Sequence, residues 1–478
     1  MFNKFKKYSN AIIIVVAVAM VVTGVLYGVG SFGGSSAYAV ATVNGADITS
    51  DQFYSALYNQ LGSNYISRDQ EFPFKYNVLN SIINTELLLQ EADRLKIKSQ
   101  ITEEDLDEYI AQLLESNQMT EEELEEELKK NNSSLKVFRN QVKNVLDDND
   151  RLAQVIERSY ADIIVEEEEI VHEYEEVEIE MIRKEKEEEN AREEIEKALQ
   201  RIENGEEFAA VAEEMSDFHV VNPGRLNRKA YYLPENVIDA AFTLEIGEMS
   251  EILDGEDAYY LVKLIDKKLA VGEDYEAARE EIRNNLLARK QDEAFSNWFA
   301  ELRAKSKIVI NDPSLSGYEA LVNGDYELAA KDLKKALEAY QAPMLYVYLA
   351  EAYFGLEQND KADETMSKAI ELYPEDWELH YFYAMLKHSA GSSQEDVVAM
   401  LDKASELAGD NITAHYQLYI AFSQLGEQEK AEIEGNKIQE IQQMFMELQE
   451  TQEANEAGTD EASDDNTNNT EANVDIEE

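Results

Sequence analysis

Val177-Glu178-Ile179-Glu180-Met181-Ile182-Arg183 opens the stretch whose reading decides the fold of this chain. Val177, Ile179 and Met181 alternate with Glu178, Glu180 and Arg183 around Ile182, the period of two that a half-buried strand requires. Residues 187–202 follow as an acidic helix with Ile195, Leu199 and Ile202 on one face, and Asn204-Gly205 is a good C-terminal stop. Next come Glu206-Glu207-Phe208-Ala209-Ala210-Val211-Ala212, Met215-Ser216-Asp217, Pro223-Gly224, Ala240-Ala241-Phe242, Leu244 and Gly247-Glu248-Met249-Ser250. Residues 259–265 read as a returning strand. Together these predict a small α+β domain over residues 176–268, within the usual domain range.

That ordered set resembles the parvulin (PpiC-type rotamase) family of prolyl isomerases along its whole length, through the family's pattern H-I-L … G-x-x-F-x-x-x-A-x-x-x-S … G-x-L-G … A-x-F-x-L-x-x-G-E-x-S … G-Y-H-I-I-K. The resemblance implies site positions residue by residue. The first-strand histidine falls on Glu180, and the cysteine or aspartate after the serine falls on Phe218, between Asp217 and His219. The substrate-pocket methionine and phenylalanine fall on Leu233 and Val237, with Phe242 as a further substrate-binding position, and the last-strand histidine falls on Tyr260. Rotation about an amide faces a barrier of roughly 18–20 kcal/mol, so an isomerase needs a shaped apolar pocket and a pre-organised polar cluster. Here the paired histidines are replaced, and the expectation is a degenerate site of weak or lost activity. Between the apolar N-terminal run and Pro313 only His172 and His219 occur. His219 reads as a solvated loop side chain; in the alternative reading it serves a rearranged, active site.

Composition narrows the remaining chemistry. Among 478 residues, 100 Asp and Glu oppose 43 Lys and Arg, for a net charge of −57. That length suits several domains, and that charge argues against nucleic acid, whose phosphates are bound by cations. With no cysteine there is no disulfide, thiolate metal site or lipid-modified cysteine. The five histidines (172, 219, 380, 388, 415) lack metal-ligand spacing, and no Gly-Lys dipeptide offers a phosphate loop. Ser133 and Lys136 form the one S-x-x-K match, without companion motifs. No metal and no cofactor are expected.

Residues 11–29 are uncharged, long enough to span a hydrocarbon core at about 1.5 Å per residue. Lys4, Lys6 and Lys7 precede them, and the next cation is Arg68. The positive-inside rule then predicts a cytoplasmic stub (1–10), a single-pass transmembrane anchor (11–29) in the cell membrane, and an extracytoplasmic bulk. Ala37-Tyr38-Ala39 matches A-x-A, which leaves a cleaved signal peptide as the alternative.

After the anchor, Val43-Asn44-Gly45-Ala46-Asp47-Ile48-Thr49 reads as a strand with an Asn-Gly turn, leading into a capping-box spacing from Thr49 to Gln52. Phe53, Leu57 and Leu61 mark one helix, Val78, Ile82, Ile83, Leu87 and Leu95 a second, and Thr102 and Thr120 open two more. These pieces look like the N-terminal chaperone region of the SurA and PrsA family, which begins V-N-G-x-x-I-T-x-x-x-F; the region is assigned to 40–175. Residues 275–305 form one amphipathic helix with Ile282, Leu286, Phe295, Trp298, Phe299 and Leu302 on a side, followed by the strand Ile308-Val309-Ile310. By the same resemblance, 269–311 returns to complete the chaperone domain, with the parvulin-like unit inserted.

Ala329, Ala362, Val397 and Ala431 recur at intervals of 33–35 residues. Tyr346, Leu349, Ala350, Tyr353, Ala362, Met366, Ala369 and Pro374 sit at tetratricopeptide spacings, so 314–445 is read as a tetratricopeptide (TPR) solenoid. Tyr346, Tyr353, Tyr381 and Tyr416 are its candidate partner-binding residues, with hairpin core as the competing reading for the first two. Residues 449–478, acidic and without a basic side chain, are expected to form a disordered tail.

The predicted architecture is mainly α with a small α+β domain: a transmembrane helix, a SurA-like helical domain, a parvulin-like domain, a TPR α-solenoid and an acidic tail. The expected function is a membrane-anchored chaperone or foldase that binds unfolded or nascent secreted polypeptides. Its repeats would dock a partner at the secretion translocon or membrane. Alternatives are an active prolyl isomerase and a TPR assembly scaffold.

Overall fold

The computed structural model describes residues 38–461 apart from 63–65, 188–189, 219–220 and 231. The apolar run 11–29, His219 and residues 462–478 therefore lie outside the described residues. The chain divides into two compact units, Met1–Asp150 with Ser306–Glu478, and Arg151–Lys305.

In the first unit, strands β1 (Ala39–Val43) and β2 (Ala46–Thr49) form a hairpin. Its turn is Asn44-Gly45, both at positive φ, the conformation this dipeptide adopts at least cost. Helices α1 (Ser50–Leu61) and α2 (Arg68–Arg94) follow, then α3 (Glu103–Ser116), α4 (Glu121–Lys130) and α5 (Leu135–Ser159). Thr49, Thr102 and Thr120 each accept from a backbone N–H in the first turn of α1, α3 and α4. Gln52, Asp105 and Glu123 reach back to the cap, a device worth about 1 kcal/mol per helix. Leu106, Leu124, Leu128, Phe138 and Val142 join α3, α4 and α5 in one core.

The second unit holds α6 (Glu167–Tyr174), β3 (Glu176–Glu185), α7 (Ala191–Glu203), α8 (Phe208–Met215), β4 (Arg225–Asn227), α9 (Glu235–Thr243), β5 (Leu253–Asp254), β6 (Ala258–Lys268) and α10 (Glu273–Lys305). Its strands make an antiparallel sheet in the order β4-β3-β6-β5. One face of the sheet buries Ile182 and Leu261 against Ile195, Ala198, Phe208 and Val211 of α7 and α8. The other buries Val177, Ile179, Met181, Val262 and Leu264 against α9. Helix α6 is clasped to α10: Tyr174 meets Tyr275 edge-on at 5.0 Å, and Glu167 accepts from Arg279 at 2.6 and 2.7 Å. The Arg279 hydrogen bonds hold the Glu167 carboxyl down at about 2. Lys290 binds Glu169, and Arg289 with Lys229 binds Glu173.

Back in the first unit, β7 (Ile308–Ile310) pairs with β1, Ala41 facing Ile310 and Val43 facing Ile308. Four helical hairpins follow: α11 (Pro313–Val322) with α12 (Tyr326–Ala339), α13 (Pro343–Gly355) with α14 (Asn359–Leu372), α15 (Trp377–Ser389) with α16 (Gln394–Ala408), and α17 (Ile412–Gln424) with α18 (Gln428–Glu461). Ala329, Ala362, Val397 and Ala431 are buried on the four second helices. In the last hairpin a buried network ties three helices. His415 Nδ1 lies 2.5 Å from Glu434 and its Nε2 2.8 Å from the Gly409 carbonyl, while Ser405 donates to Glu434 at 2.5 Å. Both ring nitrogens thus lie within hydrogen-bonding distance of an oxygen, which fixes the ring in the interior of the hairpin. Helix α18 runs on to Glu461, into the stretch from 449 expected to be a disordered tail; Gln, Glu and Ala dominate there and no proline interrupts them. Among the described residues no helix is long and apolar enough to cross a membrane.

Candidate functional site

The register of β3 against β6 decides which of the parvulin-site positions meet. Arg183 faces Tyr260, Met181 faces Val262 and Glu180 faces Lys263. Because side chains alternate across a sheet, Met181, Arg183 and Tyr260 share the α9 face, whereas Glu180 lies with Ile182 on the other. There its carboxylate is 4.0 Å from Lys263 Nζ. Glu180 and Tyr260 are therefore not brought together.

Leu233, Val237, Phe242 and Tyr260 do converge, in one apolar cluster with Met181, and are 8, 0, 8 and 5 % exposed. The phenol ring of Tyr260 enters this cluster because residue 255 is glycine. A Cβ there would stand 2.7 Å from the ring's Cε2 and 3.1 Å from Pro234 Cγ. The Tyr260 hydroxyl accepts from Arg183 Nε at 3.4 Å. Arg228 lies over the Phe242 ring, its guanidinium carbon 4.1 Å from the centroid, and is held by Glu175 at 3.2 Å. These side chains pack on one another, leaving less than a tenth of each exposed.

Asp217 is a structural clamp. One carboxylate oxygen accepts from the buried Lys184 at 2.6 Å, the other from the Glu185 backbone N–H at 2.8 Å. Phe218 is exposed and makes no part of the cluster. His172, on α6, is 3.7 Å from Glu168 one turn earlier. Among the described residues no group of three or more His, Cys, Asp or Glu is placed to hold a metal ion.

The helical hairpins present a second candidate surface. Tyr346 and Tyr353, candidates for partner binding, are buried, so they serve the hairpin interior. Their rings lie under Lys368, Lys334 and Lys361 at 5.2–5.8 Å. Tyr381 is half-buried against Trp377, at 6.2 Å between centroids. Tyr416 is 44 % exposed, its hydroxyl accepting from Gln442 at 2.9 Å.

Much of the face made by the first helices is already covered, by α2 of the same unit. Phe72 is buried edge-on to Tyr348 at 5.5 Å and lies 6.4 Å from Tyr318. Tyr76 meets Tyr318 at 5.6 Å and donates to Glu319 at 3.2 Å. Arg68 pairs with Asp376 and, at 3.2 Å, with Glu378, whose carboxyl burial pushes up. Beside Arg68 lies an open depression of about 370 Å³ lined by Tyr373, Pro374, Glu375 and Asp376. Sequence reasoning missed this docking; the one available signal was the spacing of Arg68, Phe72 and Tyr76 at successive turns of one helix side.

A third surface is aromatic and open. Tyr38, Tyr54, Tyr58 and Tyr340 are each about half-exposed. Partial burial, with Tyr54 and Asp312 nearby, raises the Tyr38 hydroxyl above its ordinary value, and partial burial likewise raises that of Tyr340.

Comparison with known proteins agrees with two of these segments. Residues 1–148 match the SurA-like N-terminal domain and residues 165–280 the PPIC-type PPIASE domain. The foldase protein PrsA of Clostridium botulinum is 30% identical over 112 residues, 23% of this chain and 33% of that protein, so the match spans about a third of the relative's length. Among solved structures, foldase protein PrsA of Streptococcus pneumoniae is 21% identical, covering 56% of this chain and 93% of that one with a TM-score of 0.25. A SurA-like chaperone of Campylobacter jejuni is 18% identical, covering 57% and 98% with a TM-score of 0.24.

Proposed function

We propose that this chain, a homologue of the PrsA- and SurA-like foldase chaperones that joins a SurA-like N-terminal domain to a PPIC-type domain, acts as a holder of unfolded secreted polypeptides rather than as an efficient isomerase. The observation that carries this reading is the buried Tyr260 ring, packed with Leu233, Val237 and Phe242 at the positions that the parvulin resemblance assigns to the site. Catalysis of amide rotation also needs polar groups fixed around the substrate. Glu180 stands on the opposite sheet face from Tyr260, and Asp217 is committed to Lys184 and Glu185.

Client holding is assigned to the open tyrosine surface of Tyr38, Tyr54, Tyr58 and Tyr340. Aromatic rings give large apolar contact with little rotamer entropy lost, and their hydroxyls keep the surface soluble. The hairpins, read as tetratricopeptide repeats, dock a partner protein at the membrane. Residues 11–29 anchor the chain with its bulk outside, as the lysine asymmetry supports. The test pairs a client-aggregation assay on a denatured secreted protein with a proline-limited refolding assay. Suppressed aggregation with little or no acceleration of refolding is expected. Strong acceleration without aggregation suppression would establish the isomerase reading instead.

A further inference from the structure

We infer that the fourth hairpin carries an open seat for a basic amphipathic helix of a partner protein; this rests on the docking role proposed above for the repeats. The face made by the first helices already shows what it binds. Its resident is α2, which presents a cation and two aromatic rings at successive turns: Arg68 to Asp376 and Glu378, Phe72 to Tyr318 and Tyr348, Tyr76 to Glu319. The contacts of α2 run over α11, α13 and the start of α15. The face then continues onto α17.

The helix caps Asp376 and Asn411 stand 35 residues apart (411 − 376), so Tyr416 repeats the position of Tyr381 and Ile420 that of Met385. Tyr381 lies near the Asp69 charge of α2. Its counterpart Tyr416 and the neighbouring Ile420 are 44 and 52 % exposed. Between them, the Oε1 atom of Gln417 is buried and has no hydrogen-bond partner. The Gln442 bond to Tyr416 joins this strip to Phe445 and Met446, three and four residues on along α18 and both exposed.

Charge selects the occupant. Residues 412–448 contain six acids and two lysines. Lys430 is committed to Asp402 and Lys437 to Ser405. An acidic partner would find no cation waiting, and a second copy would bring another chain of net charge −57. A helix with apolar residues on one side and Lys or Arg on its flanks matches both the open strip and the acids around it.

Fluorescence anisotropy on the full chain tests this with labelled peptides of about 18 residues. They are an amphipathic Lys/Leu helix, its Glu/Leu counterpart, and a Lys/Ser peptide of equal charge. At about 150 mM salt, where long-range attraction is screened, the Lys/Leu helix is expected to bind and the others not. Tyr416→Ala combined with Ile420→Asp should weaken that binding by at least about tenfold. Circular dichroism of the double variant should match that of the parent. Unchanged binding by the folded double variant, or equal binding of the Lys/Ser peptide, overturns the proposal. Binding that emerges only when Arg68→Ala and Phe72→Ala free the α2 seat overturns the location but keeps a docking role for the repeats. No binding by any variant removes that role as well. A dimer in sedimentation that Ile420→Asp dissociates would assign the strip to a second copy, again overturning the proposal.

Discussion

Because the Tyr260 ring packs directly over Gly255, the two positions must be energetically coupled. In Gly255→Ala, the new Cβ would lie 2.7 Å from Tyr260 Cε2 and 3.1 Å from both the Ala258 carbonyl oxygen and Pro234 Cγ. Overpacking of this kind costs about 1–3 kcal/mol, offset by about 0.4–1 kcal/mol because alanine restricts the unfolded chain. Tyr260→Ala removes a nearly buried ring and should cost about 3–5 kcal/mol. With the ring gone, the closest clash goes too, and Gly255→Ala should then cost about 1–2 kcal/mol less than in the parent. The chain has two compact units and will not unfold in one transition, so the readout is local: hydrogen exchange of the β6 amides, followed by mass spectrometry in the full chain. Additive effects, within about 0.5 kcal/mol, would refute the packing described for Tyr260. Removing the ring in Tyr260→Ala should not create strong isomerase activity, since Glu180 remains on the far side of the sheet.

Other expectations follow from the same contacts. Phe72→Ala should lower exchange protection in α2, α11 and α13 by about 3–5 kcal/mol, because the ring is buried between Tyr318 and Tyr348; loss confined to α2 would contradict its docking on the hairpins. His415→Leu leaves Glu434 buried with only Ser405 and Lys437, and should cost the last hairpin about 3 kcal/mol, most of it recovered when Glu434→Leu is added; urea-dependent exchange of α17 reads both. The α6–α10 clasp is sensitive to acid. The folded Glu167 carboxyl is held below its ordinary value of 4.5, at about 2, so its contribution is present above about pH 4.5 and is lost as pH falls toward about 2. The difference in α6 protection between the parent and Arg279→Ala should therefore be full at neutral pH and vanish near pH 2; a difference independent of pH would contradict the clasp.

Local chemistry made much of this protein legible in one dimension. The alternation of residues 177–183, the Thr-initiated capping boxes, the Asn44-Gly45 turn and the recurrence of Ala329, Ala362, Val397 and Ala431 each depend on neighbours within a few residues or on a fixed period. The residues that the parvulin resemblance assigns to the histidine positions, Glu180 and Tyr260, could be named from identity alone, which needs no coordinates. The side of the sheet to which Glu180 belongs depended instead on the pairing register of β3 with β6, which relates residues some eighty positions apart. The burial of the Tyr260 ring depended on the absent Cβ of Gly255, and the seat of α2 on the hairpins joined Phe72 to Tyr348. Periodicity marks which side of a helix is apolar, but the partner of that side is chosen by tertiary packing. So the buried Tyr346 and Tyr353, and the exposed Tyr416, became distinguishable only in the folded chain.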